Sequence, residues 1–600
     1  MAHYDFDATN PVDTTAMTDH AAEFNAHDTV WVKQGGRISA AGANAWGIHG
    51  ALNNHLRIDG SVSSAKSSAL VLDGAATVSV GETGIVSGSS HGIHLAGGSV
   101  TNAGHIQAAG TAIFVPIGSP FATFTLYNEG TITGEVYVHT GAVATNRGTI
   151  NGHVVFSAGN DLYFGREGVV TGDVVLGGGN DRFYGGGGSE TIQGGLGDDL
   201  IDGGAGIDTV HFDEAGTVTV DLRRTDAQNT GASGIDTFIG IENLSSSGNG
   251  SRAFTGNHLN NDLRSMGGND TLDGGGGNDS LHSALGADML LGGQGNDTLH
   301  GSYGDDTLNG GDGFDVVIFT DLDESESMTV NLARAVASTG SYGTDTYISI
   351  EGLVGTAVND HFTGNSAANT FWGKGGNDTL KGAGGADRLD GGTGIDRLEG
   401  GTGNDIYYVD TTGDTIVETS SGGTADLVYA YASYSLARTN YVERLYASGS
   451  GSISLTGNSL SNIIKGNAGH NRILSGSGND TLYGGSGNDV LYGGSGSDKF
   501  VFDTAPSSRS NKDQILDWDY RYDTIYLENA VFKALRKSGT LSASSFKLGS
   551  KASDGNDYVG YNKATGDVWY DSNGSKSGGQ VTFANIGKNK TLAYTDFYVV

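Results

Sequence analysis

The 600-residue chain has no cysteine, only four prolines, and half as many bases as acids. The missing cysteine excludes a disulfide framework, a thiol nucleophile and any thiolate metal site. The scarcity of bases, 33 Lys and Arg against 68 Asp and Glu, leaves a formal charge of −35. Such a surface repels nucleic acid and anionic lipid, both of which need basic patches. No window approaches eighteen apolar residues, so no helix is expected to span a membrane. Residues 1–11, MAHYDFDATNP, have neither a basic start nor an apolar core, which argues against a cleaved Sec-type signal.

What the chain has instead is glycine, 102 residues of it, and a strict clock. The phrase G-G-x-G-x-D-x-U-x, with U large and apolar, returns its acid every nine residues without slippage inside a block. One block carries Asp181, Glu190, Asp199 and Asp208; a second carries Asp270, Asp279, Asp288, Asp297, Asp306 and Asp315. A third carries Asp360, Asp378, Asp387, Asp396 and Asp405, and a fourth Asp480, Asp489 and Asp498. A six-residue loop followed by a three-residue strand accounts for the period. Glycine lets the loop adopt left-handed dihedrals, and the strand buries only its middle residue, such as Leu272, Leu281, Leu290, Leu299 or Leu308.

Two half-turns close a coil, so the stack sets Asp297 against Asp279, eighteen residues earlier. Carboxylates held that close repel unless a hard cation sits among them. Calcium, with six to eight flexible oxygen ligands, suits such a site better than magnesium. All eighteen acids named above are therefore candidate metal ligands. One ion per pair of acids gives roughly ten calcium ions and lowers the charge to about −15. Asn261, Asn369 and Asn471 take the acid's phase where a block begins, which predicts weaker binding at those edges.

This repeat resembles that of the RTX (repeats-in-toxin) proteins. The resemblance covers about residues 156–600. It implies calcium-binding parallel β-rolls, export through a type I secretion apparatus and folding outside the cell, on bacterial surfaces or in the medium. It implies no particular activity. Asp513-Gln-Ile-Leu-Asp517-Trp518 and Asp523-Thr-Ile-Tyr-Leu527 are similar to strands that follow the roll in serralysin-type domains, and Asp596-Phe-Tyr-Val-Val600 to uncleaved type I export signals.

The fold class expected is all-β: a parallel β-helix running into several calcium rolls and a C-terminal β-rich secretion domain. Upstream, Asn102-Ala-Gly-His-Ile, Asn128-Glu-Gly-Thr-Ile and Asn146-Arg-Gly-Thr-Ile mark coils of about twenty residues, with Asn102, Asn128 and Asn146 stacked as an internal amide ladder. The segments are 1–30, an N-terminal stretch; 31–155, the β-helix; repeat blocks 156–211, 256–318, 355–408 and 457–502; spacer coils 212–255, 319–354 and 409–456; and 503–600, the secretion domain.

Catalysis finds little support. No G-x-S-x-G elbow or P-loop occurs. Ten of the 16 histidines lie in residues 1–155, but His20, Glu23 and His27 lack the H-E-x-x-H spacing of a zinc site. His91 and His94 flank the inward Ile93 and are expected to point in different directions. The leading reading is a non-catalytic, secreted calcium-binding protein acting in surface or matrix adhesion or host contact, with extracellular polysaccharide or a host surface as partner. The alternative is a polysaccharide-modifying lyase or epimerase using the β-helix; a pore-former, lacking upstream apolar helices, comes third.

Overall fold

Triplets with one inward side chain can only be stable when stacked, and stacking is what the chain does. The computed structural model describes residues 3–6, 12–14, 22–24, 27–41, 45–50, 54–117, 123–319, 326–334, 337–338, 343–436 and 441–600. It is all-β, 48% strand and 1% helix, wound as a parallel β-solenoid of about 22 turns. Two compact units divide it, Met1–Asp315 and Val316–Val600.

The first unit begins with three strands per coil. Thr29–Val32, His55–Ile58 and Leu70–Val80 pair in parallel on one face, Arg37–Ala40, Ser61–Ser64 and Ile85–Gly88 on a second, and Ile48–Gly50 joins Leu70–Val80 on a third. The second face ends at Val169–Val170, paired with Thr149–Asn151. Beyond it the coil has two faces, with eighteen residues per turn inside the repeat blocks and wider turns between them. The Asn ladder forms as expected: Asn102 donates to Asn128 at 2.7 Å, Asn128 to Asn146 at 2.7 Å, and all three are buried. Each amide thus satisfies the next inside an otherwise apolar core.

Within the nine-residue blocks the apolar residues meet in register. Leu263, Leu281 and Leu299 line one face; Phe254, Leu272, Leu290 and Leu308 line the other, none more than 1% exposed. In the second block the three-residue strand holds on the first face only. On the second, Thr271–Gly276, Met289–Gln294 and Thr307–Asp312 are six residues long, because Gly275, Gly293 and Gly311 remain paired through the turn. At Gly295 the φ is 125°, and an added Cβ would run into the Gly277 carbonyl oxygen, so the coils can close to strand spacing only without a side chain there.

The second unit repeats the two-faced design. Its longest face runs in parallel from Val316–Ile318 through Thr370–Trp372, Leu427–Ala430 and Thr481–Tyr483 to Thr524–Leu527. Phe597–Val599 adds to it, with Phe597 and Val599 buried. On the other face Asp513–Ile515 receives Gln580–Asn585, which leads an antiparallel meander through Asp567–Asp571 and Val559–Asn562 around the buried Trp569.

His20 and the side chain of Glu23 lie outside the described residues, so their pairing with His27 stays a reading of sequence alone. His91 and His94 correct their expectation. Their rings lie 5.6 Å apart and both contact Phe114, since Gly92 and Ile93 are buried together at a corner where strict alternation lapses. Among the described residues, no helix is long and apolar enough to cross a membrane.

Candidate metal sites along the repeat turns

Each acid stands one residue before its strand, at the mouth of the turn. All eighteen acids are buried, none more than 8% exposed. One carboxylate oxygen is committed within the fold, because it accepts the backbone N–H of the residue at the same phase one coil earlier. Asp181 donates to Asp199, Glu190 to Asp208, Asp270 to Asp288, Asp279 to Asp297, Asp288 to Asp306 and Asp297 to Asp315, each at 2.8 Å. Asp360 to Asp378, Asp378 to Asp396, Asp387 to Asp405 and Asp480 to Asp498 follow at 2.7–2.9 Å. Asp489 accepts from Asn471 at 2.7 Å. Each carboxylate is therefore half satisfied, rather than facing its neighbour bare.

The second oxygen is the informative one. In Asp181, Glu190, Asp208, Asp270, Asp279, Asp288, Asp297, Asp378, Asp387, Asp396, Asp405, Asp480 and Asp489 it is buried without a hydrogen-bond partner. No described lysine or arginine forms an ion pair with any of these thirteen. A buried, unpaired anion is costly, and one repeated at thirteen of these positions cannot be an accident of packing. The donor set is carboxylate and glycine-rich turn backbone, all hard oxygen, which fits calcium. Asp360 differs: its oxygens accept from Met328 and Thr356 N–H at 2.7 Å each. Ser302 donates to Asp306 at 2.8 Å.

The block entrances need no cation. Asn261 accepts from Asn257 N–H at 2.7 Å and donates to the Glu242 carbonyl at 2.6 Å; Asn471 closes on Asn467 in the same way, and Asn369 on Asn365. An amide supplies the donor that an aspartate lacks. At the other entrance of the second block Arg252 holds the phase, donating its backbone N–H to Asp270 at 2.6 Å while its guanidinium binds the Glu214 and Gly216 carbonyls.

The ladder also passes through acids that the nine-residue count misses. Asp199 donates to Asp236 and Asp208 to Glu242, both at 2.9 Å; Asp405 to Asp426 at 2.8 Å and Asp426 to Glu443 at 2.9 Å; Asp489 to Asp513 at 3.1 Å and Asp498 to Asp523 at 3.2 Å. Asp161, in the partial repeat Ala158–Tyr163, donates to Asp181 at 2.6 Å and keeps one buried, unpartnered oxygen. Asp405, Glu418 and Asp426 place carboxylate oxygens within 4.8 Å of one another. Glu418 stands where the coils before it have Gly382 and Gly400, and the Tyr407 hydroxyl donates to it.

Burial, ahead of neighbouring charge, pushes these carboxyls upward: Asp199, Asp378, Asp387 and Asp498 to about 7, and Asp181, Asp279, Asp288, Asp396 and Asp480 to about 6. Unfolded, they would titrate near their ordinary value of about 3.9. Between these limits the folded, calcium-free chain binds more protons than the unfolded one. The stability these groups contribute is thus full below about pH 4 and lost as pH rises through about 7. Chelated protein is expected to gain strand signal by circular dichroism as pH falls from 8 to 4. An equally unfolded chain at both ends of that range would contradict the burial of these groups.

These features define a class, a repeat solenoid whose buried carboxylates call for divalent cations. The family model of the RTX calcium-binding nonapeptide repeat (four copies) matches residues 176–210, 255–290, 285–317, 353–380, 381–416, 456–488 and 465–500. Over these residues the chain carries RTX-type nonapeptide repeats, and repeats of this kind bind calcium. No curated protein matches it.

Proposed function

We propose that this is a secreted RTX protein that folds on extracellular calcium and then acts, without catalysis, as an adhesin at a cell surface or in its matrix. The observation that carries the reading is the row of buried carboxylate oxygens without partners. A fold built on them is unstable where calcium is scarce, as in a cytosol, and closes where calcium is plentiful. The eighteen acids read from the sequence, joined by Asp161 and Asp426, are the ligands in this reading, with about ten ions if each serves a pair. A type I apparatus, which passes unfolded chains, suits a protein with this dependence. The segments read from the sequence as spacers continue the ladder and act as wider coils of the same stack.

Cells expressing the protein should carry it on their surface or matrix, and a wash with EGTA should release it unfolded into the medium. Protein found only in the cytosol, or retained fully through the wash, would refute the reading.

A further inference from the structure

Successive strands on the long face of the second unit stack their third residue in one file. In register it reads Trp372, Asp390, Tyr408, Tyr429, Tyr446, Lys465, Tyr483, Val501, Tyr526 and Tyr598. Apart from the buried Val501, these side chains are half-buried or exposed. Tyr408 and Tyr429 stack at 5.3 Å, Tyr429 and Tyr446 meet edge to face at 5.9 Å, and Tyr526 and Tyr598 lie 5.1 Å apart. Cations lie over these rings. Arg388 is 4.5 Å from the Tyr408 centroid, Lys499 5.6 Å from Tyr526, and Lys465 lies between Tyr446 and Tyr483 at 5.2 and 4.4 Å.

Sheet stability alone does not explain this file. The opposite face has Thr363, Lys381, Glu399 and Val417 at the same strand position, in coils that are equally well paired. Charge is also distributed against the trend of the molecule. At the outward strand positions from Thr370 to Tyr598, Arg388, Arg444, Lys465 and Lys499 stand with one acid, Asp390, in a chain of net charge −35, while Asp503, just past the strand of Lys499, lies close enough to Lys465 to interact with it.

We propose that this aromatic and cationic file binds an extended, sparsely acidic polysaccharide laid across the strands. It rests on the adhesin reading above and names that adhesin's partner. Nine strand steps of about 4.8 Å give a track on the order of 43 Å, with rings at most steps to stack on sugar faces. Four cations along it amount to about one per 10 Å. That density matches a glycan with an acid on alternate sugars; a nucleic acid strand has a phosphate about every 3.4 Å and would be repelled by the rest of the protein.

The test uses the full-length protein with calcium, against hyaluronan, uncharged dextran and oligo(dT). Hyaluronan should bind, dextran more weakly, and oligo(dT) weakest. Replacing Tyr429, Tyr446 and Tyr483 together by Ser should lower hyaluronan affinity about tenfold or more. Lys465→Glu should weaken it about threefold or more and flatten its salt dependence. Because these side chains point outward, the calcium midpoint of folding should not move in either variant. Should the triple variant fold poorly, Lys465→Glu decides. Absent hyaluronan binding, unchanged affinity in the variants, or equal or tighter binding of dextran or oligo(dT) would overturn the proposal. Hyaluronan binding by a protein that EGTA fails to release from cells would instead refute the adhesin reading and leave the track standing.

Discussion

Asp297→Ala should raise the calcium midpoint of folding about tenfold or more, whereas Asn471→Ala should move it less than about twofold. Asp297 stands inside the longest block. Its loss removes a buried carboxylate oxygen without a partner, and with it the acceptor that holds the Asp279 N–H at 2.8 Å. The Asp297 N–H that donates to Asp315 survives the truncation, so the loss falls on the Asp279 contact and on the unpartnered oxygen. Asn471 is different in kind. Its side chain closes only on Asn467 in its own turn, and its backbone donor to Asp489 survives truncation. Asp297→Asn separates the two roles of the interior carboxylate. It keeps an oxygen for Asp279 but lacks the charge, so it should fold as the entrance asparagines do and bind less calcium. A titration in which Asp297→Ala and Asn471→Ala shift the midpoint equally would show that interior and entrance phases do not differ as the hydrogen bonds indicate.

Much of this is legible in the amino-acid sequence. An uninterrupted period of nine fixes which residues share a coil, and the apolar residue at constant phase fixes which face is inward; both leucine files follow from those facts alone. The Asn102, Asn128 and Asn146 ladder is equally plain, since each asparagine precedes the same x-Gly-x-Ile phrase. Counting fails where loops change length. Asp236, Glu242, Asp426, Glu443, Asp513 and Asp523 extend the ladder at separations between 17 and 37 residues. Their signal is local: each stands two residues before the inward apolar residue of a short strand, as in Asp236-Thr-Phe, Glu443-Arg-Leu and Asp523-Thr-Ile.

The six-residue strands on one face escape a sequence reading for a related reason. Whether Gly275, Gly293 and Gly311 stay paired depends on how closely neighbouring turns approach, which a single repeat does not encode. The His91 and His94 pair depends on a corner, where two successive residues turn inward and the period of two breaks. The tyrosine file needs register as well, because Tyr408, Tyr429 and Tyr446 are separated in sequence by 21 and 17 residues and fall in step only once the spacer loops are folded away.

The central claim is that calcium binding and folding of the repeats are one equilibrium, since the sites exist only when coils are stacked. Far-ultraviolet circular dichroism of the full chain at neutral pH, first with EGTA and then through a calcium titration to millimolar concentration, tests it most directly. The expected result is mostly coil over residues 156–502 under chelation, then a cooperative rise in strand signal as calcium is added. A spectrum already rich in strand under chelator and unchanged by calcium would contradict it.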